Sequence, residues 1–137
     1  MSQMTLSIDC GGLSLKASVL DEAGTLHAQT VSVPTPYPLS PELLLETFTD
    51  IAKKLPKFDR ITVGFPGMVR HGVIVYTPHY INIRGPRSKV DPELAEKWRG
   101  YDLQTELSEY FNKPSLVLND AEVHGAGVVA GTGFEVM

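Results

Sequence analysis

One short stretch near the start of the chain holds the residue types that phosphate binding needs. In Asp9-Cys10-Gly11-Gly12-Leu13-Ser14-Leu15-Lys16 a carboxylate, two glycines and a lysine lie close together. Glycines let a phosphate approach the backbone and offer it N–H groups, while Asp9 can hold Mg²⁺ through water and Lys16 can offset phosphate charge. The same Gly11-Gly12 pair also suits an ordinary hairpin turn, with Asp9 a solvated residue at a strand end. A second polar pair, Asn119-Asp120, follows the apolar run Leu116-Val117-Leu118. By type alone that pair could cap a helix.

These groups must be held by regular elements, and the apolar pattern supplies them. Apolar residues alternate at Met4, Leu6 and Ile8 and again at Leu13, Leu15, Ala17 and Val19, so two strands turn at Gly11-Gly12. Asp21-Glu22-Ala23-Gly24 turns the chain into Leu26 and Ala28, after which the phase slips to Val31 and Val33 as a bulge would produce. Three antiparallel strands therefore open the domain. Ser40-Pro41 starts a helix with Leu44, Phe48, Ile51 and Leu55 on one face, stopped by Pro56. Arg60 to Phe65 reads as a strand and Met68 to Tyr76 as a hairpin turning at His71-Gly72. Asp91-Pro92 caps a short helix carrying Leu94 and Trp98. Asp102 caps another with the stripe Leu103, Leu107 and Tyr110; the buried-looking strand Leu116-Val117-Leu118 and a glycine-weakened helix from Asp120 to Gly131 close the order. The fold class is α/β, a mixed sheet of three antiparallel strands followed by alternating helices and parallel strands.

Composition narrows the function. With 137 residues, 42% apolar and 20% charged, the chain fits one ordinary globular domain. A net charge of -4 argues against a polyanion as the general partner, so no nucleic acid is expected. The lone Cys10 reads as a small packed side chain, and no apolar run has the length of a signal or membrane segment, which points to a cytoplasmic protein. His27, His71, His79 and His124 are scattered without ligand spacing. Gly125-Ala126-Gly127 and Gly131-Thr132-Gly133 match neither a dinucleotide fingerprint nor a P-loop. One local departure from the acidic balance stands out: Arg84, Arg87, Lys89, Lys97 and Arg99 outnumber Asp91, Glu93 and Glu96. Such a strip could guide a long anionic donor or simply be a solvated loop.

The order Asp9-x-Gly11-Gly12-x-x-x-Lys16, Gly64-Phe65-Pro66-Gly67, Trp98-x-Gly100 and Asn119-Asp120-Ala121 resembles the repressor, open-reading-frame and kinase (ROK) family over nearly the whole chain. Phe65-Pro66-Gly67, His71-Gly72-Val73 and the Asn-Asp-Ala signature look closest to its polyphosphate-using glucokinases. The resemblance implies the ribonuclease H-like half of an actin-like ATPase fold. It also implies phosphoryl transfer from ATP or polyphosphate, with Mg²⁺, to a hexose hydroxyl, glucose foremost. Asp120 would be the general base, Asn119 would bond a neighbouring hydroxyl and Gly67 would present backbone to the sugar. Asp9, Gly11, Gly12, Leu13 and Lys16 would meet the donor, with Asp9 holding Mg²⁺ through water. His79 stands where many members have Asn, and Leu13 where they have Thr or Ser.

Family members place a Glu-x-Gly-His segment and a cysteine-rich zinc motif further on, and neither occurs before Met137. Residues 1–137 are therefore expected to be an amino-terminal domain truncated before the second domain, inactive alone, with formation of a homo-oligomer left open. The family's repressors carry a helix-turn-helix ahead of the phosphate motif; only eight residues precede Asp9, which favours a kinase over a sugar-sensing regulator. For a non-catalytic actin-like scaffold, Asn119-Asp120 would have no sugar to meet.

Overall fold

The computed structural model describes residues 3–84 and 87–119. Strands β1 (Thr5–Cys10), β2 (Ser14–Leu20) and β3 (Val31–Pro34) come first, then helix α1 (Pro41–Ala52), strand β4 (Arg60–Phe65) and the hairpin β5 (Met68–Arg70) and β6 (Val73–Tyr76). Helices α2 (Pro92–Trp98) and α3 (Leu103–Phe111) precede β7 (Ser115–Asn119). Five strands form one sheet in the order β3-β2-β1-β4-β7, while β5 and β6 form a separate ribbon. β2 runs antiparallel to β1 and β3; β4 runs parallel to β1 and to β7. This is the mixed sheet, with an antiparallel start, that the apolar pattern implied.

Period-two alternation sends Leu6, Ile8 and Cys10 of β1, Leu15, Ala17 and Val19 of β2, and Ile61, Val63 and Phe65 of β4 into one core. Leu44, Phe48 and Ile51 of α1 and Leu103 and Leu107 of α3 belong to the same cluster. Helix α1 begins where the sequence requires: the Ser40 hydroxyl accepts the Leu43 N–H at 3.1 Å, and Pro41 occupies the first turn, where no N–H is needed. Next to that cap, the Trp98 ring nitrogen donates to the Leu39 carbonyl at 2.9 Å, which fastens α2 to the segment before α1.

Several expectations are corrected. Leu13 does not continue the inward row of β2; it lies in the turn and is 80% exposed. Leu26 meets Leu20 only through an isolated bridge, and the paired part of β3 starts at Val31. Helix α1 ends at Ala52 rather than at Pro56, because the turn ahead of the proline tightens: Lys54 and Leu55 N–H bond three residues back, at 3.0 and 3.1 Å. Tyr110 is half exposed, since Leu103, Leu107 and Phe111, spaced by four, make the inner stripe; the Phe111 ring instead meets Phe58 at 6.4 Å. In β7 only Val117 faces the core, as alternation turns Leu116 and Leu118 to the opposite face. The helix expected over 120–131 lies outside the described residues.

Replacing Ser40 with Ala removes one satisfied helix donor without touching the core. Urea unfolding followed by circular dichroism should show a loss of about 1 kcal/mol.

Candidate functional site at the carboxyl ends of the parallel strands

The parallel strands β1, β4 and β7 all end at one edge of the sheet, at Cys10, Phe65 and Asn119. Loops that leave this edge converge, and open α/β sheets bind their ligands there. The expected site residues fall on these ends. Asp9 and Lys16 stand opposite each other across the β1–β2 pair, both exposed, and Gly64, with no side chain, is the neighbour of Asp9 on β4. An anionic and a cationic side chain thus share one face of the sheet. Among the described residues no hydrogen bond is made by the Asp9 carboxylate, and no group of three or more His, Cys, Asp or Glu could hold a metal by itself. One free carboxylate suits Mg²⁺, which keeps waters and takes most of its other ligands from phosphate.

Gly11 closes the turn by donating its N–H to the Ser14 carbonyl at 2.9 Å, and a Cβ added to Gly11 would stand 2.9 Å from that same oxygen. Three hydroxyls reach the turn from elsewhere in the chain. Thr35 and Tyr80 donate to the Gly11 carbonyl at 3.0 and 2.8 Å, and Tyr37 donates to the Gly12 carbonyl at 2.6 Å. The Tyr80 ring is fully buried and lies edge-on to Phe65 at 5.4 Å, 5.8 Å from Trp98 and 6.3 Å from Tyr37. Burial pushes the Tyr37 phenol up to about 12 and raises Tyr80 further. Both therefore remain donors throughout the neutral range.

At the ends of β4 and β7, the Asn119 side chain donates to the Gly67 carbonyl at 2.6 Å. This bond unites two residues expected to flank the same substrate. Gly67 has φ +148°, and a Cβ there would collide with the Tyr76 carbonyl and stand 2.9 Å from Thr77 Cα, so the close approach of the β5–β6 ribbon requires glycine. The Thr77 hydroxyl donates to the Pro66 carbonyl at 3.0 Å and holds the other side of that turn. Asp120 lies outside the described residues. His79 is half-buried beside Tyr80 in sequence and its carbonyl accepts the Asn82 N–H at 3.4 Å.

The basic strip is only partly what its composition implied. Arg84, Arg87 and Lys89 are exposed on a loop closed by the Ile83 N–H to Lys89 carbonyl bond at 2.9 Å, whereas Arg99 is paired with Glu96 at 3.2 Å. Residues overlooked by sequence reasoning are Thr35, Tyr37, Tyr80 and Thr77. Their only signal is a hydroxyl in an otherwise apolar or proline-rich setting, which carries no information about a partner up to 69 positions away.

The sequence pattern of the ROK family matches residues 5–130. The chain belongs to the ROK family. It is 24% identical over 120 residues to the polyphosphate glucokinase of Mycobacterium leprae (strain TN), a match covering 86% of this chain and 33% of that protein. Among solved structures, the inorganic polyphosphate/ATP-glucomannokinase of Arthrobacter sp. strain KM matches with a TM-score of 0.72 and 27% identity, over 98% of this chain and 51% of that one. A ROK family glucokinase of Streptomyces griseus, solved with glucose and AMPPNP, matches with a TM-score of 0.70 over 95% of this chain and 38% of that one; at 22% identity the likeness is one of fold. This ROK chain thus has the actin-like ATPase fold of sugar kinases and spans a third to a half of the length of these relatives. Among its described residues no helix is long and apolar enough to cross a membrane.

The raised phenols set an alkaline limit on stability. Tyr37 and Tyr101 are both held near 12 against an ordinary value of 10.0, chiefly by burial, so the folded state keeps protons that the unfolded state has lost. Their contribution is complete below pH 10 and disappears as pH rises from 10 to 12. Denaturation midpoints measured across that window should fall, and Tyr37→Phe should make the fall shallower.

Proposed function

We propose that this chain is the amino-terminal domain of a hexose kinase that transfers a phosphoryl group from ATP or polyphosphate to a sugar hydroxyl, glucose foremost. The observation that carries this reading is the Asn119–Gly67 bond at the same end of the parallel strands as the Gly11–Gly12 turn that follows β1. It supports a sugar wall beside a phosphate loop. In this reading the Gly67 backbone and Asn119 orient the sugar. Asp120, next in the chain, accepts the proton of the attacking hydroxyl as the new oxygen–phosphorus bond forms. The bond between the terminal phosphorus and its bridging oxygen breaks, and ADP or a shortened polyphosphate leaves.

On the donor side, Gly11, Gly12 and Leu13 contribute backbone while Lys16 offsets charge. Bound Mg²⁺ would neutralise phosphate charge, with Asp9 as its protein-side anchor through water. Leu13 brings no hydroxyl to the donor, so the backbone does the binding at that position. Further sugar ligands and the rest of the donor site belong to the second domain, and the 137 residues alone are inactive.

Two measurements on a protein joining this chain to a complete second domain test the reading. Asp120→Asn should lower kcat for glucose phosphorylation by roughly 10² to 10⁴ and leave glucose affinity almost unchanged; a near-normal rate removes Asp120 from the role. For the donor, neutralising Arg84, Arg87 and Lys89 together should raise the KM for polyphosphate and flatten its salt dependence, with that for ATP nearly constant. Equal effects on both donors, or none, return the loop to a solvated surface.

A further inference from the structure

The contacts of the Gly11–Gly12 turn go beyond closing a hairpin. The peptides linking Gly11 to Gly12 and Gly12 to Leu13 are both trans, the one cis bond among the described residues being Tyr37-Pro38. In a trans peptide the carbonyl and the N–H point in opposite directions. The Gly11 carbonyl is drawn inward by Thr35 and Tyr80, which sends the Gly12 N–H outward; the Gly12 carbonyl is drawn inward by Tyr37, which sends the Leu13 N–H outward. Among the described residues neither of these N–H groups meets an acceptor. Two adjacent outward amides form a small anion-binding concavity.

The hydroxyls that set this orientation are unusually well anchored. Tyr80 is fully buried between Phe65 and Trp98, and its oxygen has no room to follow a shifting loop. Thr35 is buried and also donates its own N–H to the Leu13 carbonyl at 3.0 Å, fixing the next peptide. Tyr37 is half-buried and packs edge-on against Tyr80. A phenylalanine at either tyrosine would fill the same space, so packing alone does not call for the two hydroxyls. What they add is direction: without them, either glycine peptide could flip and turn a carbonyl oxygen towards an incoming phosphate. Hydroxyl donation to a carbonyl also polarises the peptide and makes its N–H a better donor.

We propose that Tyr37 and Tyr80 are positioning residues for the phosphoryl donor, holding the Gly11 and Gly12 carbonyls so that the Gly12 and Leu13 N–H groups face the donor phosphates. This rests on the reading of the turn as the donor loop. It assigns donor affinity to two aromatic hydroxyls that never touch the donor. It also explains how the turn can serve with Leu13, a residue without a side-chain donor, at its outer corner.

The test uses the ¹⁵N-labelled chain titrated with sodium tripolyphosphate at constant ionic strength, following the Gly12 and Leu13 amide resonances. The wild type should show saturable shifts at these two amides. Tyr37→Phe and Tyr80→Phe should each weaken binding about three- to tenfold, the worth of one hydrogen bond. Thr5→Val is the control for mere destabilisation: it removes a buried hydroxyl bonded to Arg60 at the opposite end of β1, and it should leave the affinity unchanged. Should Tyr80→Phe fail to fold, Tyr37→Phe carries the test, because that ring is only half-buried. Wild-type affinity in a folded tyrosine variant overturns the positioning role while the donor loop stands. Equal weakening by Thr5→Val also overturns it. Absence of shifts at Gly12 and Leu13 in the wild type overturns both.

Discussion

The hydrogen bond from the Tyr80 hydroxyl to the Gly11 carbonyl ties a fully buried core residue to the turn between β1 and β2. Glycines are chosen where backbone must come close to a ligand, and their freedom is a liability in the same place. A loop that can admit phosphate can also collapse or flip. Here the freedom is removed from below by hydroxyls instead of from the sides by Cβ atoms. The upper surface of the loop stays open and its geometry is still defined.

The same residue connects the Gly11–Gly12 turn with the ends of β4 and β7. Tyr80 packs on Phe65, which ends β4 and pairs in register with Asn119, and Pro66 and Gly67 follow directly. Asn119 then bonds back to the Gly67 carbonyl. A movement of the aromatic cluster would therefore displace the Asn119–Gly67 pair and the Gly11–Gly12 turn together, the proposed sugar and phosphate sides of the site. Trp98 closes the cluster from α2 and is itself held to Leu39, so α2 is fixed both to β4 and to the segment before α1. Such coupling suits a reaction whose catalysis depends mainly on placing two substrates in line.

Charge is arranged with the same economy. The chain is acidic overall, yet Lys16 faces Asp9 at the open edge and Arg84, Arg87 and Lys89 lie on one exposed loop. Long-range attraction of a polyanion is weak for such a protein, so in the proposed reading only local groups would supply it. A kinase named for both polyphosphate and ATP shares the fold described here. Loops outside the sheet, rather than the sheet itself, are where donors of such different length can be told apart.

The strands, the caps and the order of the motifs were legible in the residues alone, because those depend on neighbours only a few residues away. Alternation at Leu6 and Ile8 or at Ile61 and Val63, Ser40 before Pro41, and His71-Gly72 at a hairpin are all short-range physics. The local pattern misjudged Leu13, Tyr110 and the length of α1, where one residue of phase or a tightened turn decides the outcome. Long-range packing alone sets how Asn119 meets Gly67 across 52 positions and how Thr35, Tyr37 and Tyr80 converge on two glycine carbonyls. No local pattern encodes these contacts: a hydroxyl declares that it will bond, and the packing of the rings that carry it chooses the partner.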